Sequence, residues 1–280
     1  MLALYKLLKF FFRHVLPERL RYAFARGIAA VVVRLNAERR RVIVDNLTPL
    51  VGEARAKRLA PKLLGNFCMT AVDFFCSRDE LLRVLKTDNA AIIEKTWRKS
   101  RKVIMVTAHI GTWELGISYL VEKGFSVAGV YAPYREDAVV RWIQAHRNQE
   151  VEWIPAVRGA AEACIDALRC GRLLGMVSDI PFGEKGRRVT MAGRTARLPI
   201  GPWAIAARAG ATVLPAFIIR EAPGHYRMTV HDPIAVPTGS LRQQIVSMQD
   251  VYVRHLEQYL MRYPEQWGIL QPFWEPSGRA

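Results

Sequence analysis

The stretch KVIMVTAHIGTWELGISYLVEKG (residues 102–124) decides the fold class, because its two halves have different characters. The first half, KVIMVTAH, is a short apolar run rich in β-branched residues, which is typical of a buried strand. The second half, GTWELGISYLVEKG, predicts a helix that ends at Gly124. A buried strand followed directly by a helix is the repeating unit of an α/β protein.

Strands and helices continue to alternate after residue 124. The predicted strands are FSVAGVYAP, VEWIPA, RLLGMVSD, TVLPAFIIR and HYRMTVHD. The predicted helices are REDAVVRWIQAHRNQ, AAEACIDALRCG, GPWAIAARAG and residues 240–262. This order predicts an α/β fold with a mostly parallel or mixed central sheet flanked by helices on both faces. The segment GEKGRRVT, which contains Arg187 and Arg188, is expected to be a solvated loop.

The first hundred residues predict only helices, among them ARAKRLAPKLLGNFCMTAVDFFCS with its apolar residues near helical spacing. We therefore expect a helical, membrane-facing N-terminal portion before the sheet. The predicted division is a basic amphipathic membrane-associating segment over residues 1–40 and an α/β domain over residues 41–280.

The charge of the chain predicts an anionic partner. The net charge is +16, and residues 1–65 hold 14 Lys and Arg against 4 Asp and Glu, so ten of those sixteen charges lie there. Such a block is typical of proteins that bind nucleic acid or an acidic membrane surface. No helix-turn-helix, zinc pattern or interleaving of aromatic and basic residues supports nucleic acid as the partner.

The segment MLALYKLLKFFFRHVLP (residues 1–17) favours the membrane surface. Lys6, Lys9 and Arg13 are three and four residues apart, so on a helix they form one stripe beside an apolar remainder. The segment has no uncharged apolar run of the ~18 residues that a membrane-spanning helix needs. It predicts a helix lying in the interface of an anionic membrane. The alternative is a terminal helix that packs on the protein's own core.

The cysteines do not indicate a metal or redox site. Cys68, Cys76, Cys164 and Cys170 form no CxxC pair and are expected to be small buried residues in a reducing compartment. No HExxH motif or third ligand accompanies the histidine of the opening stretch, so no metal is predicted.

His109 and Glu114 are the candidate catalytic residues. His109 follows a strand, and Glu114 lies in the first turn of the next helix, with Gly111 permitting a tight turn between them. A carboxylate that reaches back to one ring nitrogen makes the other nitrogen a better base. Because no GxSxG motif supplies a protein nucleophile, the pair fits direct transfer of an activated acyl group to a substrate hydroxyl. The alternative is an incidental HxxxxE pair, with Trp113 serving in packing.

AHIGTWELG resembles the HxxxxD/E signature of the glycerolipid acyltransferase superfamily. In its HxGxWE form it is similar to the bacterial lipid A late acyltransferases (lauroyl and myristoyl transferases) and to their relatives that acylate mannosylated phosphatidylinositol. Further segments match in the same order across residues 40–267: AHRNQEVEWIPA, LRCGRLLGMVSD, MAGRTARLPIGPWAIAARAGATVLPAF and YPEQW.

The resemblance implies roles for individual residues. It implies His109 as the general base and Glu114 as the residue that orients it. It implies substrate binding by Arg147, Asp179, Gly111 and Trp113, with Arg147 holding donor or acceptor phosphates. An alternative for Arg147 and Asp179 is a structural ion pair.

The resemblance also implies the substrates and the place of the reaction. The donor would be an acyl thioester of acyl carrier protein or coenzyme A, used as a co-substrate with no other cofactor. The acceptor would be a hydroxyl of a glycolipid such as a lipid A precursor. The enzyme would be a peripheral or monotopic protein at the cytoplasmic face of the inner membrane.

Two departures from the family pattern leave the acceptor open. Ile180 follows Asp179 where family members often have Gln, and WGILQPFW lacks the His/Arg-rich ending common among the lipid A enzymes. Another polar lipid, such as a mannosylated phosphatidylinositol, is therefore an alternative acceptor. A non-catalytic lipid-binding relative and a thioester hydrolase that uses water are the remaining alternatives.

Overall fold

The computed structural model describes residues 7, 10, 16–75, 78–133, 149–181 and 186–276. Four helices come first in this part of the chain: α1 (Glu18–Leu35), α2 (Ala37–Val51), α3 (Glu53–Phe75) and α4 (Arg78–Arg83). The later helices are α5 (Ala91–Ser100), α6 (Glu114–Glu122), α7 (Ala160–Arg169), α8 (Gly201–Ala209) and α9 (Leu241–Arg262), followed by a short 3₁₀ helix (Pro264–Gln266).

The strands lie between these helices. In chain order they are β1 (Leu85–Asp88), β2 (Val103–Thr107), β3 (Val127–Tyr131), β4 (Val151–Pro155), β5 (Leu173–Val177), β6 (Arg187–Met191), β7 (Arg194–Leu198), β8 (Thr212–Ala222) and β9 (His225–Val230). Seven of them form one sheet in the order β1-β9-β8-β2-β5-β3-β4, and β6 pairs with β7 in a separate hairpin.

The sheet is mostly parallel. Strands β8, β2, β5, β3 and β4 run in one direction, whereas β9 is antiparallel to β8 and β1 runs parallel to β9. The α/β fold with a mostly parallel sheet flanked by helices is therefore confirmed. The predicted helix over residues 135–149 lies almost entirely outside the described residues.

Two expectations from the sequence were wrong. The first hundred residues are not all helical, because β1 pairs with β9 at one edge of the sheet. Arg187 and Arg188 do not lie in a solvated loop: they begin β6, where Arg187 pairs with Asp250 and Arg188 with Glu275. The strand β1 depends on a partner about 140 residues away, which local periodicity does not report. The strand β6 pairs with the neighbouring β7 in a hairpin, and its two arginines find acidic partners that are distant in the sequence.

The side chains of β2 show how the sheet is buried on both faces. Ile104 and Val106 belong to a core that is completed by helices α1, α2, α3, α7, α8 and α9. Val103 and Met105 point to the opposite face and join a core that contains residues of α4, α5 and α6. Burial on both faces explains why this strand is an unbroken apolar run rather than an alternating one.

Helix α1 has two apolar sides. Its buried side packs on α3 and carries Tyr22, Ala25, Ala29 and Val33. A second stripe, three or four residues apart, is exposed: Leu20, Phe24, Ile28, Val31 and Leu35. Among the described residues, no helix combines the length and hydropathy that spanning a membrane would require. The predicted boundary between residues 40 and 41 falls inside α2.

Candidate active site

Two neighbouring strands each end two residues before a polar side chain. β2 ends at Thr107 and β5 at Val177, and these residues are register partners in a parallel ladder. His109 and Asp179 follow at equal distances along the chain. Because the C-terminal ends of parallel strands lie at one edge of the sheet, the two side chains meet there.

The Asp179 carboxylate holds His109 through two contacts. The imidazole Nδ1 lies 2.7 Å from Oδ1, and the backbone N–H of His109 donates to Oδ2 at 2.9 Å. The side chain of Asp179 is fully buried, whereas that of His109 is 29% exposed. Since a carboxylate accepts hydrogen bonds, this contact favours the neutral tautomer in which Nδ1 carries the ring proton and Nε2 is the acceptor. This arrangement suits a histidine that takes a proton from a substrate.

A tryptophan near the C-terminal end completes the surroundings of Asp179. The indole Nε1 of the buried Trp267 donates to Oδ2 at 3.2 Å. The next residue, Gly268, donates its backbone N–H to the carbonyl of His109 at 2.6 Å. Sequence reasoning assigned no role to Trp267, although it ends the YPEQW segment that supported the family resemblance. The contact joins residues 88 positions apart, so only the tertiary structure reveals it.

Residues 108–113, between β2 and α6, form what we call the His109 turn. Gly111 in this turn has a φ of 59°, and its N–H donates to the carbonyl of Gln266 at 3.0 Å. A Cβ at this position would lie 1.9 Å from the carbonyl oxygen of Ile218 on β8. Glycine is therefore required both by the left-handed backbone and by the close approach of the turn to the sheet.

Trp113 lies beside the histidine. Its ring meets the imidazole of His109 edge to face, with centroids 4.9 Å apart. The contact restricts the rotation of the imidazole about its side-chain bonds. The substrate-binding roles expected for Gly111 and Trp113 stay predictions.

Glu114 is the first residue of α6. Glu114 was expected to reach one ring nitrogen of His109, and at Nδ1 the structure places Asp179. Glu114 instead lines a cavity beside the His109 turn. Its catalytic role stays a prediction, and so does that of Arg147, which lies outside the described residues together with the rest of residues 134–148.

The cavity lies between α6 and the sheet and measures about 70 Å³. Its lining combines apolar side chains, which include Leu120 and Met228, with Thr107, Trp113 and Glu114. Within the described part of the chain, the buried hydroxyl of Thr107 has no hydrogen-bond partner. The cavity is thus mostly apolar with a few polar groups, which suits a substrate of the same character.

Two glycines in adjacent strands make room for two side chains that line the cavity. Gly129 and Gly175 are register partners on β3 and β5. A Cβ on either glycine would approach Cδ1 of Ile117, at 3.2 Å from Gly129 and 3.3 Å from Gly175. A Cβ on Gly129 would also lie 2.7 Å from the ring of Trp153. Ile117 and Trp153 therefore occupy the volume that side chains at these strand positions would fill.

The described residues contain no group of three or more His, Cys, Asp or Glu side chains that could hold a metal ion. Within the same residues, the cysteines Cys68, Cys164 and Cys170 are free thiols. Burial raises the pKa of Cys164 to about 11, which keeps this thiol protonated and unreactive.

A family model described as bacterial lipid A biosynthesis acyltransferase matches residues 5–275. A phosphatidylinositol mannoside acyltransferase of Mycobacterium tuberculosis is 22% identical over 175 residues, which are 61% of this chain and 54% of the relative. The corresponding protein of Mycolicibacterium smegmatis is 21% identical over 178 residues, covering 62% of this chain and 57% of the relative. The chain thus spans little more than half the length of these relatives.

Among solved structures, a similar one is the 1-acyl-sn-glycerophosphate acyltransferase PlsC of Thermotoga maritima. It aligns with a TM-score of 0.41 and 16% sequence identity, over 86% of this chain and 96% of that chain.

Proposed function

The chain belongs to the bacterial lipid A biosynthesis acyltransferase family. From this family membership we propose that it is an acyltransferase, which moves a fatty acyl chain from a thioester to a hydroxyl of a membrane glycolipid. The donor is an acyl thioester of acyl carrier protein or of coenzyme A, and the acceptor is a lipid A precursor. The observation that carries the proposal is the His109–Asp179 pair, with one ring nitrogen held by a buried carboxylate and the other free to act.

The proposed chemistry starts at Nε2 of His109. This atom takes the proton of the acceptor hydroxyl as the hydroxyl oxygen attacks the thioester carbonyl. The C–S bond then breaks, and the imidazolium returns the proton to the leaving thiolate. Asp179 stabilises the imidazolium and fixes the tautomer, in the way that the buried aspartate of a catalytic triad does.

The acyl chain of the donor enters the cavity beside α6. The apolar lining suits a hydrocarbon chain, and its polar members Thr107 and Glu114 are close to His109 in the sequence. In this proposal the reacting carbonyl stays beside these residues while the hydrocarbon extends past the apolar side chains. Arg147 binds phosphate of the donor or acceptor, an assignment that rests on its match to the family's arginine-containing segment.

The reaction takes place at a membrane surface. The exposed stripe of α1 is apolar over its whole length, and the exposed arginines Arg34, Arg39, Arg40 and Arg41 lie at its end and in the first turn and a half of α2. An amphipathic helix flanked by arginines binds anionic lipids through both apolar burial and charge. We place the enzyme at the cytoplasmic face of the inner membrane, as a peripheral or monotopic protein. The same basic surface would attract the acidic acyl carrier protein.

A mannosylated phosphatidylinositol is the second candidate acceptor. The observation that favours it is the similarity to two proteins named phosphatidylinositol mannoside acyltransferases. Both acceptors present a sugar hydroxyl at the membrane surface, so the same base serves either reaction.

The test combines the purified full chain with radiolabelled lauroyl, myristoyl and palmitoyl thioesters of both carriers. Anionic vesicles contain a lipid A precursor, a phosphatidylinositol mannoside or neither. We expect label in one of the glycolipids, and we expect His109→Ala to reduce the transfer by roughly 10²–10⁴-fold. Release of free fatty acid in every vesicle would indicate a hydrolase. Binding of vesicles without turnover would indicate a non-catalytic relative.

A further inference from the structure

A buried ion pair lies on the far side of the His109 turn from Asp179. Nη2 of Arg220 on β8 lies 2.5 Å from Oδ2 of Asp73 on α3, and the two side chains are 2% and 1% exposed. A buried ion pair seldom stabilises a fold more than well-packed apolar residues would. The role of the Asp73–Arg220 pair therefore follows from its other contacts.

The pair reaches the His109 turn through a threonine. The hydroxyl of the buried Thr112 donates to Oδ2 of Asp73 at 2.8 Å and accepts from Nη2 of Arg220 at 3.0 Å. The preceding carbonyl, that of Gly111, accepts from the hydroxyl of Thr70 at 2.9 Å. Nη2 of Arg220 also donates to Thr70, at 3.1 Å. Two consecutive residues of the turn are thus tied to one buried cluster.

The second carboxylate oxygen of Asp73 faces away from the turn. Oδ1 accepts from the hydroxyl of Tyr22 at 2.8 Å and from that of Tyr226 at 2.6 Å. Burial, followed by the charge of Asp73, raises the pKa of both tyrosines, so they remain donors. Asp73 is therefore held on one side by α1 and β9 and holds the turn on the other.

We infer that Asp73 and Arg220 are positioning residues for acyl transfer, which set the His109 turn through the Thr112 hydroxyl. Asp179 fixes His109 from the side of β5, and the Asp73–Arg220 pair fixes the same turn three residues later from the side of α3 and β8. With both ends held, Nε2 keeps one position relative to the acceptor hydroxyl and the thioester carbonyl. A displacement of about 1 Å at such a position can slow a reaction by about 100-fold. The inference rests on the proposed function of His109 as the base.

Thr112→Val tests the inference while leaving the ion pair in place. Valine has the shape of threonine but lacks its hydroxyl, and Thr112→Ser restores the hydroxyl. Tyr22→Phe is the matched control, because it removes one hydrogen bond from the same carboxylate on the side away from the turn. Each variant is measured as the full chain with vesicles, for thermal midpoint, for the single-turnover rate at saturating donor and for the steady-state KM for donor.

We expect Thr112→Val to lower the rate constant by at least tenfold, toward about 100-fold, with the KM for donor nearly unchanged. Thr112→Ser should return the rate to within a few-fold of the wild type. Tyr22→Phe should lower the thermal midpoint without slowing the folded enzyme. A Thr112→Val rate within twofold of wild type, or a serine variant as slow as the valine variant, would overturn the inference.

A spectroscopic measurement separates this inference from the proposed function. The proton shared between His109 Nδ1 and Asp179 should give a downfield proton resonance that is missing in His109→Ala. Thr112→Val should shift or broaden it, and Thr112→Ser and Tyr22→Phe should leave it in place. An unchanged resonance in Thr112→Val would count against the positioning role even if no glycolipid is acylated. An active His109→Ala enzyme would instead contradict the proposed function. The resonance in the Thr112 variants would still show whether Thr112 positions the turn.

Discussion

His109 hydrogen-bonds a carboxylate 70 positions away in the chain, although Glu114 lies only five positions away. The reason lies in where the fold places the two carboxylates. Asp179 lies across from His109 at the end of the adjacent strand, whereas Glu114 has already entered α6 and lines the cavity. The two carboxylates therefore have different surroundings, and a mutation experiment can separate their roles.

Asp179→Asn should slow acyl transfer by roughly 10²–10⁴-fold. Within the described part of the chain, the groups that hydrogen-bond this carboxylate are the N–H and Nδ1 of His109 and Nε1 of Trp267, and each of them acts as a donor. An amide would turn its own N–H₂ toward at least one of them and would favour the wrong tautomer of the imidazole. The measurement is single-turnover transfer from a labelled thioester, with folding checked by circular dichroism.

A double variant shows which carboxylate works with the histidine. If Asp179 acts through His109, combining Asp179→Asn with His109→Ala should be little worse than His109→Ala alone. Glu114→Gln is the comparison variant, because the sequence predicted that Glu114 orients His109. Losses that multiply for Asp179 but not for Glu114 would return the orienting role to Glu114.

At the scale of an element, the two sides of helix α1 have different roles. One side is buried against α3, and the opposite stripe is exposed in a helix with no acidic residue after Glu18. An exposed apolar stripe is disfavoured in water and is a common mark of a membrane or protein interface. The stripe thus gives the predicted membrane-associating segment a defined surface.

Replacing Ile28 and Val31 together by glutamate should weaken binding to anionic vesicles by at least about tenfold. The two side chains are 42% and 53% exposed, so the fold should tolerate the change. Co-sedimentation at low and high salt provides the measurement. The same double substitution at Leu241 and Met261, which are also exposed but lie on α9, is the matched control. Equal loss in both pairs would mean that charge alone, and not the α1 stripe, sets binding.

Ile117→Ala should shift the preferred acyl chain toward greater length. The side chain of Ile117 occupies the space over Gly129 and Gly175, and its removal would lengthen the cavity along the sheet. The measurement is the ratio of transfer rates for thioesters of eight to sixteen carbons. Val121→Ala, on the same helix but outside the cavity lining, is the control. An unchanged ratio would place the acyl chain elsewhere in the enzyme.

At the scale of the whole molecule, the two faces of the sheet belong to separate cores, and the C-terminal helix α9 serves one of them. Two histidines, His231 just after β9 and His255 on α9, lie beside each other. The rings of His231 and His255 lie 4.2 Å apart, and Nε2 of His231 is 3.1 Å from the hydroxyl of Tyr259. Burial, with a smaller effect of His255 opposed by Asp232, lowers the pKa of His231 from 6.5 to about 4.

The protein should therefore lose stability as the pH falls from about 6.5 to 4. In that interval the unfolded chain binds a proton at His231 that the folded protein does not bind, so protonation favours unfolding. Above pH 6.5 this contribution to stability is fully present. Thermal midpoints at pH 7.5 and 5 should differ less in His231→Gln than in the wild type, while His225→Gln, at an exposed histidine, should behave as the wild type. Equal pH dependence in all three proteins would assign the loss to other groups.

The sequence by itself determined the α/β class, the alternation of elements after residue 100 and the positions of His109 and Asp179 at strand ends. These features follow from periodicity and from turn residues, which act over a few neighbouring positions. The sequence also identified Gly111 as a turn residue, and the structure added that β8 leaves no space there for a Cβ.

Only the tertiary structure decided which side chains meet. The register that places Thr107 opposite Val177 brings Asp179 to His109, and no local pattern contains that register. Trp267, Asp73 and Arg220 reach the His109 turn from three other parts of the chain for the same reason, Trp267 through a backbone bridge to Ile110. Hydrogen bonds between distant residues depend on how strands and helices pack together, so their partners are fixed by the fold and not by spacing along the sequence.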